Sequence, residues 1–447
     1  MLRSFPALVV LGAAGCGPVD LRPSFRRASG VIELPAGVTE IRHELVLSAS
    51  AGDVEIAGKP DTVLRMASGF QGRAAIVIGK AKRVRLRDFT IDGNRAALAR
   101  PTGLPPHDVP FARIAAGGGV LAFFVEGLTL TNVRFREMDG FAVIAAASRD
   151  VLIEKVLVEN SGGRMKNGRN NTSGGILIEE GTERFTVRDS VFRNVLGNAV
   201  WTHSLYTSAR NRDGLITGNR FETIARDAVQ VGHATRVRVE NNTGRRIGFP
   251  LAAVDIEGGG IPVGVDTAGN VDQSVYAGNR FEEVNGKCID LDGFHHGEVR
   301  DNVCINRGPA DDYPNGHFGL VMNNANPDMR SERIVVRGNT FQGMKFGGVF
   351  VIGGPHEITG NRLLNLNTAG CNENAARFGC AHFAGEPALF ESGIYLGRRA
   401  ERPAVARGNR IEDNEISGHR MATRCIGRAP GIAPADNTVR NNRCRDQ

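Results

Sequence analysis

The chain has 447 residues, of which 41% are hydrophobic, 23% charged and only 6% aromatic, with 57 glycines. That balance excludes disorder and favours a turn-rich β architecture, and no apolar run reaches the roughly 18 residues of a membrane span. Lys and Arg outnumber Asp and Glu by 55 to 48, a net charge of +7. No basic block or aromatic-interleaved basic segment accompanies that charge, so nucleic acid is excluded as a partner. Most of the cations are Arg, which suits carboxylate and sulfate ligands.

The first element in chain order is a leader. Met1-Leu2-Arg3 is a short basic start, Phe5 to Ala14 is apolar over a secretory length, and Ala13-Ala14-Gly15-Cys16 places small residues ahead of a cysteine. This segment resembles a bacterial lipoprotein signal. The resemblance implies that residues 1–15 are removed, that Cys16 is lipidated, and that 16–30 link the anchor to a domain spanning 31–447. Ala13 stands where that pattern prefers Leu, which leaves plain secretion as the other route; both predict an exported protein that meets a membrane only through a lipid. Six cysteines follow Cys16, an even number with fifteen disulfide connectivities, and Cys371 and Cys380, which bracket a loop, are the predicted pair.

From about residue 31 onward the chain repeats. An apolar run, then Gly-Asn, a polar residue and Phe or another apolar residue recur as Gly218-Asn219-Arg220-Phe221, Gly278-Asn279-Arg280-Phe281, Gly338-Asn339-Thr340-Phe341, Gly360-Asn361-Arg362-Leu363 and Gly408-Asn409-Arg410-Ile411. Weaker copies are centred on Asn132, Lys155, Asp189, Asn241, Asn302 and Asn442, and the shortest spacings are 22 to 23 residues. Three short alternating runs per unit, without a helical period, predict one coil of a parallel β-helix that buries its apolar residues by stacking on its neighbours. The repeated Asn is predicted to take a left-handed backbone and to bond the copy one coil away, and the Phe to stack inside. With its Asn turns the chain resembles the right-handed β-helix proteins of the pectin-lyase-like superfamily, which implies an all-β, single-stranded right-handed solenoid over residues 31–447. A monomer is expected.

Insertions at 162–173, 203–213, 248–252, 258–270, 306–318 and 365–392 flank one strand of each coil, the front strand. Loops at both ends of one sheet make a groove, where binding sites sit on a rigid scaffold. The front strands are read as 199–203, 228–231, 253–257, 288–292 and 320–324. Period two then points Trp201, His203, Gln230, Asp255, Glu257, Asp290 and Asp292 outward, against apolar residues such as Ala142, Ile144, Ile176 and Ile178 at the corresponding earlier positions.

Four carboxylates on adjacent strands, about 4.8 Å apart, repel one another unless a proton or cation intervenes. Paired carboxylates hydrolyse glycosides, so Asp255, Glu257, Asp290 and Asp292 are the predicted catalytic centre, with Lys287 and His295 beside them. Trp201, His203, Gln230, Arg210 and Asn324 are predicted to contact a polysaccharide, neutral or anionic. Three readings compete with hydrolysis. Asp255, Asp290 and Asp292 could hold calcium; Lys287, His295 and Arg210 could serve a uronate lyase or epimerase; or the groove could bind a polysaccharide without cleaving it. The polygalacturonase-like hydrolases of the superfamily carry Asp-Asp, Gly-His-Gly and Arg-x-Lys at their sites, and the front strands here have none of these, so their catalytic residues do not transfer. Pro106-His107-Asp108 is similar to the Asp-Pro-His-Asp of alginate epimerases, with Pro105 in place of the first Asp.

Overall fold

The computed structural model describes residues 20–26, 29–48, 53–170, 173–325, 328–380 and 385–447. The predicted leader and Cys16 lie outside the described residues. The strands begin at Gly30 and form one continuous sheet of 38 among the described residues, wound as a right-handed parallel β-helix. Most coils supply three strands, and each strand pairs in parallel with its counterpart one coil away, as Asn198–His203 does with Gly174–Glu179 and with Val229–Glu240, which turns a corner and also pairs with Asn211–Thr217. The short helix Arg22–Phe25 precedes the first strand, and its Phe25, with Leu21, is buried in the core.

The core is a set of columns along the axis. On the front sheet Val200, Val229, Val265, Ile289, Leu320 and Val349 lie in register and all are buried, so each coil covers the apolar face that its neighbour could not bury alone. The predicted Phe column is buried but interrupted: Phe135, Phe192, Phe221, Phe281 and Phe341 share one register with Val158, Gly244 and Cys304 between them, and only Phe192 and Phe221 stack, at 5.3 Å.

The Asn ladder is also present, displaced by one residue from its predicted geometry. Asn219, Asn242, Asn279, Asn302, Asn339, Asn361 and Asn414 each donate Nδ2 to the Oδ1 of the next, at 2.8–3.0 Å, and the ladder ends at Asn442. The left-handed residue is the one before each, as at Gly218, Asn241, Gly278 and Asp301. The left-handed residue turns the corner and the Asn that follows points its amide inward. Asn409 belongs to a separate short ladder: its Oδ1 accepts the His356 N–H, and its own N–H donates to Asn437 Oδ1.

Disulfides join Cys371 to Cys380, as predicted, and also Cys288 to Cys304 and Cys425 to Cys444. The first of these latter two crosses the coil interior from the front strand. No helix among the described residues is long and apolar enough to cross a membrane.

Candidate active site

The front strand assigned to 253–257 is not a strand. Leu251–Ala253 is a 3-10 turn and Asp255 sits in the loop after it, while the front strand of that coil is Val263–Asp272, inside the segment read as an insertion over 258–270. Asp255 is locked in place: Oδ1 accepts the N–H groups of Glu257 and Gly258, Oδ2 accepts Asn167 Nδ2 at 2.8 Å, and its own N–H donates to Asn170 Oδ1. Those backbone N–H groups, Gly258 first, and Asn167 hold its carboxyl below the usual carboxylate range. Glu257 is exposed on the same loop. Neither belongs to the front acid column.

The column carries Asp266 instead, which the sequence reading missed. Trp201, Gln230, Asp266, Asp290 and Val321 occupy successive strands in register, and Asp292 follows Asp290 two residues along its strand. Asn198 Nδ2 donates to Gln230 Oε1 at 2.6 Å, and Gln230 Nε2 donates to Asp266 Oδ2 at 2.7 Å. Lys287 Nζ donates to Asp290 Oδ2, and Asp290 Oδ1 is buried with no hydrogen-bond partner. A second missed acid, Asp227, accepts Val263 N–H at 2.9 Å and lies 3.6 Å from Arg226 Nε.

Asp266 and Asp290 are each 7% exposed, so both acids sit at the floor of the front face with only an edge open to water. Burial, reinforced by the charges of Asp227 and Asp290, raises Asp266 well above the ordinary carboxylate value. Burial pushes Asp227 to about 7 against the pull of Arg226, and pushes Asp292, beside Asp290, to about 7. Burial opposes the Lys287 ammonium, but the adjacent Asp290 charge outweighs it and raises its pKa. The cluster is therefore a row of acids in unlike environments: one paired with an ammonium, the others driven towards the protonated form.

The flanking residues divide. Gln230 and Lys287 lie in the cluster as predicted. Trp201 faces outward, yet only 7% of it is exposed, because Phe111 packs edge-on at 5.1 Å and Phe141 lies beside it. It is not an open stacking platform. The covering helix Phe111–Ile114 is anchored by Glu179, which accepts the N–H groups of Phe111 and Ala112 at 2.6 and 2.9 Å. Under it Leu121, Ile144, Leu177 and Trp201 form an apolar cluster outside the coil; Leu177 is the outward residue of its strand, and Ile176 and Ile178 face the core. His203 packs against Phe111 and Trp201 at the rim of the same cover.

Arg210 is committed to the carbonyls of Ala234 and Asn270 and to Asp272 at 3.1 Å, past the corner that ends the front strand. His295, opposite Asp272, lies past the same corner and not beside the acids. Asn324 is buried, its Oδ1 accepting from Ser331 and its carbonyl from Arg402 N–H, so it is spent on the fold. With Asp255 outside the column and both its oxygens engaged, the calcium set of Asp255, Asp290 and Asp292 is not assembled.

Three loops close the front face on the side where the chain enters the strands. Thr102 bridges to Met165, Asn167 and Asn170 bind Asp255, and Asn170 N–H donates to the Ala253 carbonyl, so segments 100–117, 162–170 and 248–262 are tied together. Between them and Trp201 lies a cavity of about 230 Å³, bordered by Pro106, His107, Phe111, His203 and Arg226.

Comparison with known proteins places the fold. The model of the right handed beta helix region matches residues 174–368, the stretch that holds the acid cluster. No curated sequence matches the chain. Among solved structures it is similar to PfbA, a surface adhesin of Streptococcus pneumoniae, at 17% identity and a TM-score of 0.58, over 76% of this chain and 84% of that one. It is also similar to the DFA-IIIase of Arthrobacter chlorophenolicus A6, solved without its lid in complex with GF2, at 14% identity and a TM-score of 0.56, over 92% and 88% of the two chains. The adhesin and the DFA-IIIase share this scaffold, and the fold of the chain is a right-handed parallel β-helix.

Proposed function

We propose that the chain is an exported glycoside hydrolase that cleaves a polysaccharide or oligosaccharide at Asp266 and Asp290. The observation that supports this most directly is the pair itself: two carboxyl groups in register on adjacent parallel strands, one driven towards its protonated form and the other facing an ammonium. Pairs of carboxyl groups whose environments push them apart are what acid and nucleophile assignments need. Adjacent strands are about 4.8 Å apart, near the roughly 5 Å carboxyl separation of retaining enzymes.

In this reading Asp266, with Oδ2 held by Gln230, donates its proton from Oδ1 to the glycosidic oxygen, while the carboxylate of Asp290, paired with Lys287, attacks the anomeric carbon. The glycosyl ester on Asp290 is then hydrolysed by a water that gives its proton back to Asp266, restoring both groups. Lys287 positions Asp290 and is not a free base, and Arg210 is committed elsewhere, so a uronate lyase or epimerase has fewer groups to draw on. Three disulfides support an oxidising compartment and thus export.

The test is incubation of the purified chain with neutral and uronate polysaccharides, with and without calcium, reading reducing ends and the absorbance of unsaturated uronides together. New reducing ends without absorbance, lost in Asp266→Asn and Asp290→Asn, are expected. Absorbance would make the chain a lyase, and affinity without turnover would make it a binding protein like the adhesin.

A further inference from the structure

Past the corner that ends the strand Lys287–His295, two adjacent imidazoles face each other. His295 Nδ1 and His296 Nδ1 are 2.8 Å apart, and one ligand atom from each of His295, His296 and Glu332 lies within 4.8 Å of the other two. Glu332 comes from the next coil, and its backbone carbonyl accepts the His296 N–H, which fixes the two coils against each other at this point.

The protonation of His295 follows from its partner. Its Nε2 lies 2.9 Å from Asn270 Oδ1, an oxygen that only accepts, so Nε2 carries the hydrogen and Nδ1 of the neutral ring keeps its lone pair. The Asn270 amide is oriented by its own contacts: Nδ2 donates to Asp328 Oδ2 at 3.0 Å, and Arg210 donates to its Oδ1. On the other ring, Nε2 faces Glu332 Oε1 at 3.6 Å. With His295 Nδ1 unprotonated, the 2.8 Å contact is an N–H···N hydrogen bond when His296 carries its hydrogen on Nδ1, and a metal ion bound by both Nδ1 atoms takes the place of that hydrogen. An imidazole whose far nitrogen donates to an oxygen, leaving the near one free, is the arrangement that orients metal-binding histidines.

We propose that His295, His296 and Glu332 bind one first-row divalent transition-metal ion, with Asn270 as the residue that orients His295. Two imidazoles and a carboxylate suit zinc, nickel or copper rather than calcium or magnesium. The site is separate from the acid cluster and clamps the coil corners at 295–296 and 332.

The test uses the full chain prepared without a polyhistidine tag, titrated calorimetrically with zinc and, separately, nickel chloride. One ion per chain is expected, with affinity at least about tenfold weaker in His295→Ala and in Glu332→Gln, and about 10- to 100-fold weaker in Asn270→Ala. Zinc is also expected to raise the melting temperature of the wild type and not that of His295→Ala, with circular dichroism showing each variant folded. Absence of stoichiometric binding to the wild type, or unchanged affinity in a folded His295→Ala, overturns the proposal.

Discussion

Lys287 and Asp290, three residues apart on one strand, form an ion pair on the floor of the front face. Both side chains are largely buried, so the pair stands where neither charge can be left alone cheaply. Lys287→Met is expected to cost about 3 kcal/mol, because it strands Asp290 beside Asp266. The double variant Lys287→Met with Asp290→Asn should recover most of that loss in guanidinium unfolding. Additive costs would mean that the pair is not coupled.

Asp227 gives a pH dependence of defined sign. Its carboxyl titrates near 7 in the fold and near the ordinary aspartate value when unfolded, so between those values the native state binds more protons. Its contribution to stability is therefore complete at low pH and is lost as pH rises through 7. Asp227→Asn keeps an acceptor for Val263 N–H but cannot titrate. The stability of wild type relative to Asp227→Asn should fall by more than about 1.4 kcal/mol, the value of one pKa unit, between pH 5 and pH 8. A flat difference would refute the assignment.

The ladder should be strongest in its middle. Asn302 accepts from the N–H and Nδ2 of Asn279 and donates to the Tyr276 carbonyl and to Asn339. Asn302→Ala leaves several buried groups unpaired at about 1–3 kcal/mol each, for an expected loss of at least about 3 kcal/mol. Asn442 is half-buried at the last rung, so Asn442→Ala should cost about 1 kcal/mol by the same denaturation assay.

Cys288 and Cys304 join the front strand, two residues before Asp290, to another wall of the same coil. Replacing both by Ala should lower stability by about 3 kcal/mol, as a loop of this size predicts. If hydrolysis at Asp290 depends on a rigid floor, the variant should also lose turnover below its new melting temperature. Unchanged stability would show that the stacked coils alone define the strand.

The repeat made the solenoid legible, because turn, ladder and core residues recur in every coil. The site was legible only in part. Ala253-Val254-Asp255 and Gly264-Val265-Asp266 are both a small residue, an inward Val and an outward Asp. Distance to the ladder separates them: Asn242 follows Val229 by 13 residues and Asn302 follows Ile289 by 13, whereas Asn279 follows Val254 by 25 and Val265 by 14. Gly264 was a further signal, since a Cβ there would lie 2.6 Å from the Cys288 carbonyl. The burial of Trp201 was not legible, because its cover comes from Phe111, ninety residues earlier, and strand alternation reports direction without reporting what lies on top.

The clasp of loops around Asp255 makes the front sheet a dead end rather than a trough. A chain laid along the solenoid axis meets the Phe111 helix over Trp201 only two strands, about 10 Å, before Asp266. In the proposed hydrolysis a long polymer would not run through such a face; the acids would be reached by a free terminus or a short branch arriving from the opposite side, and the wall would set the length of what is released.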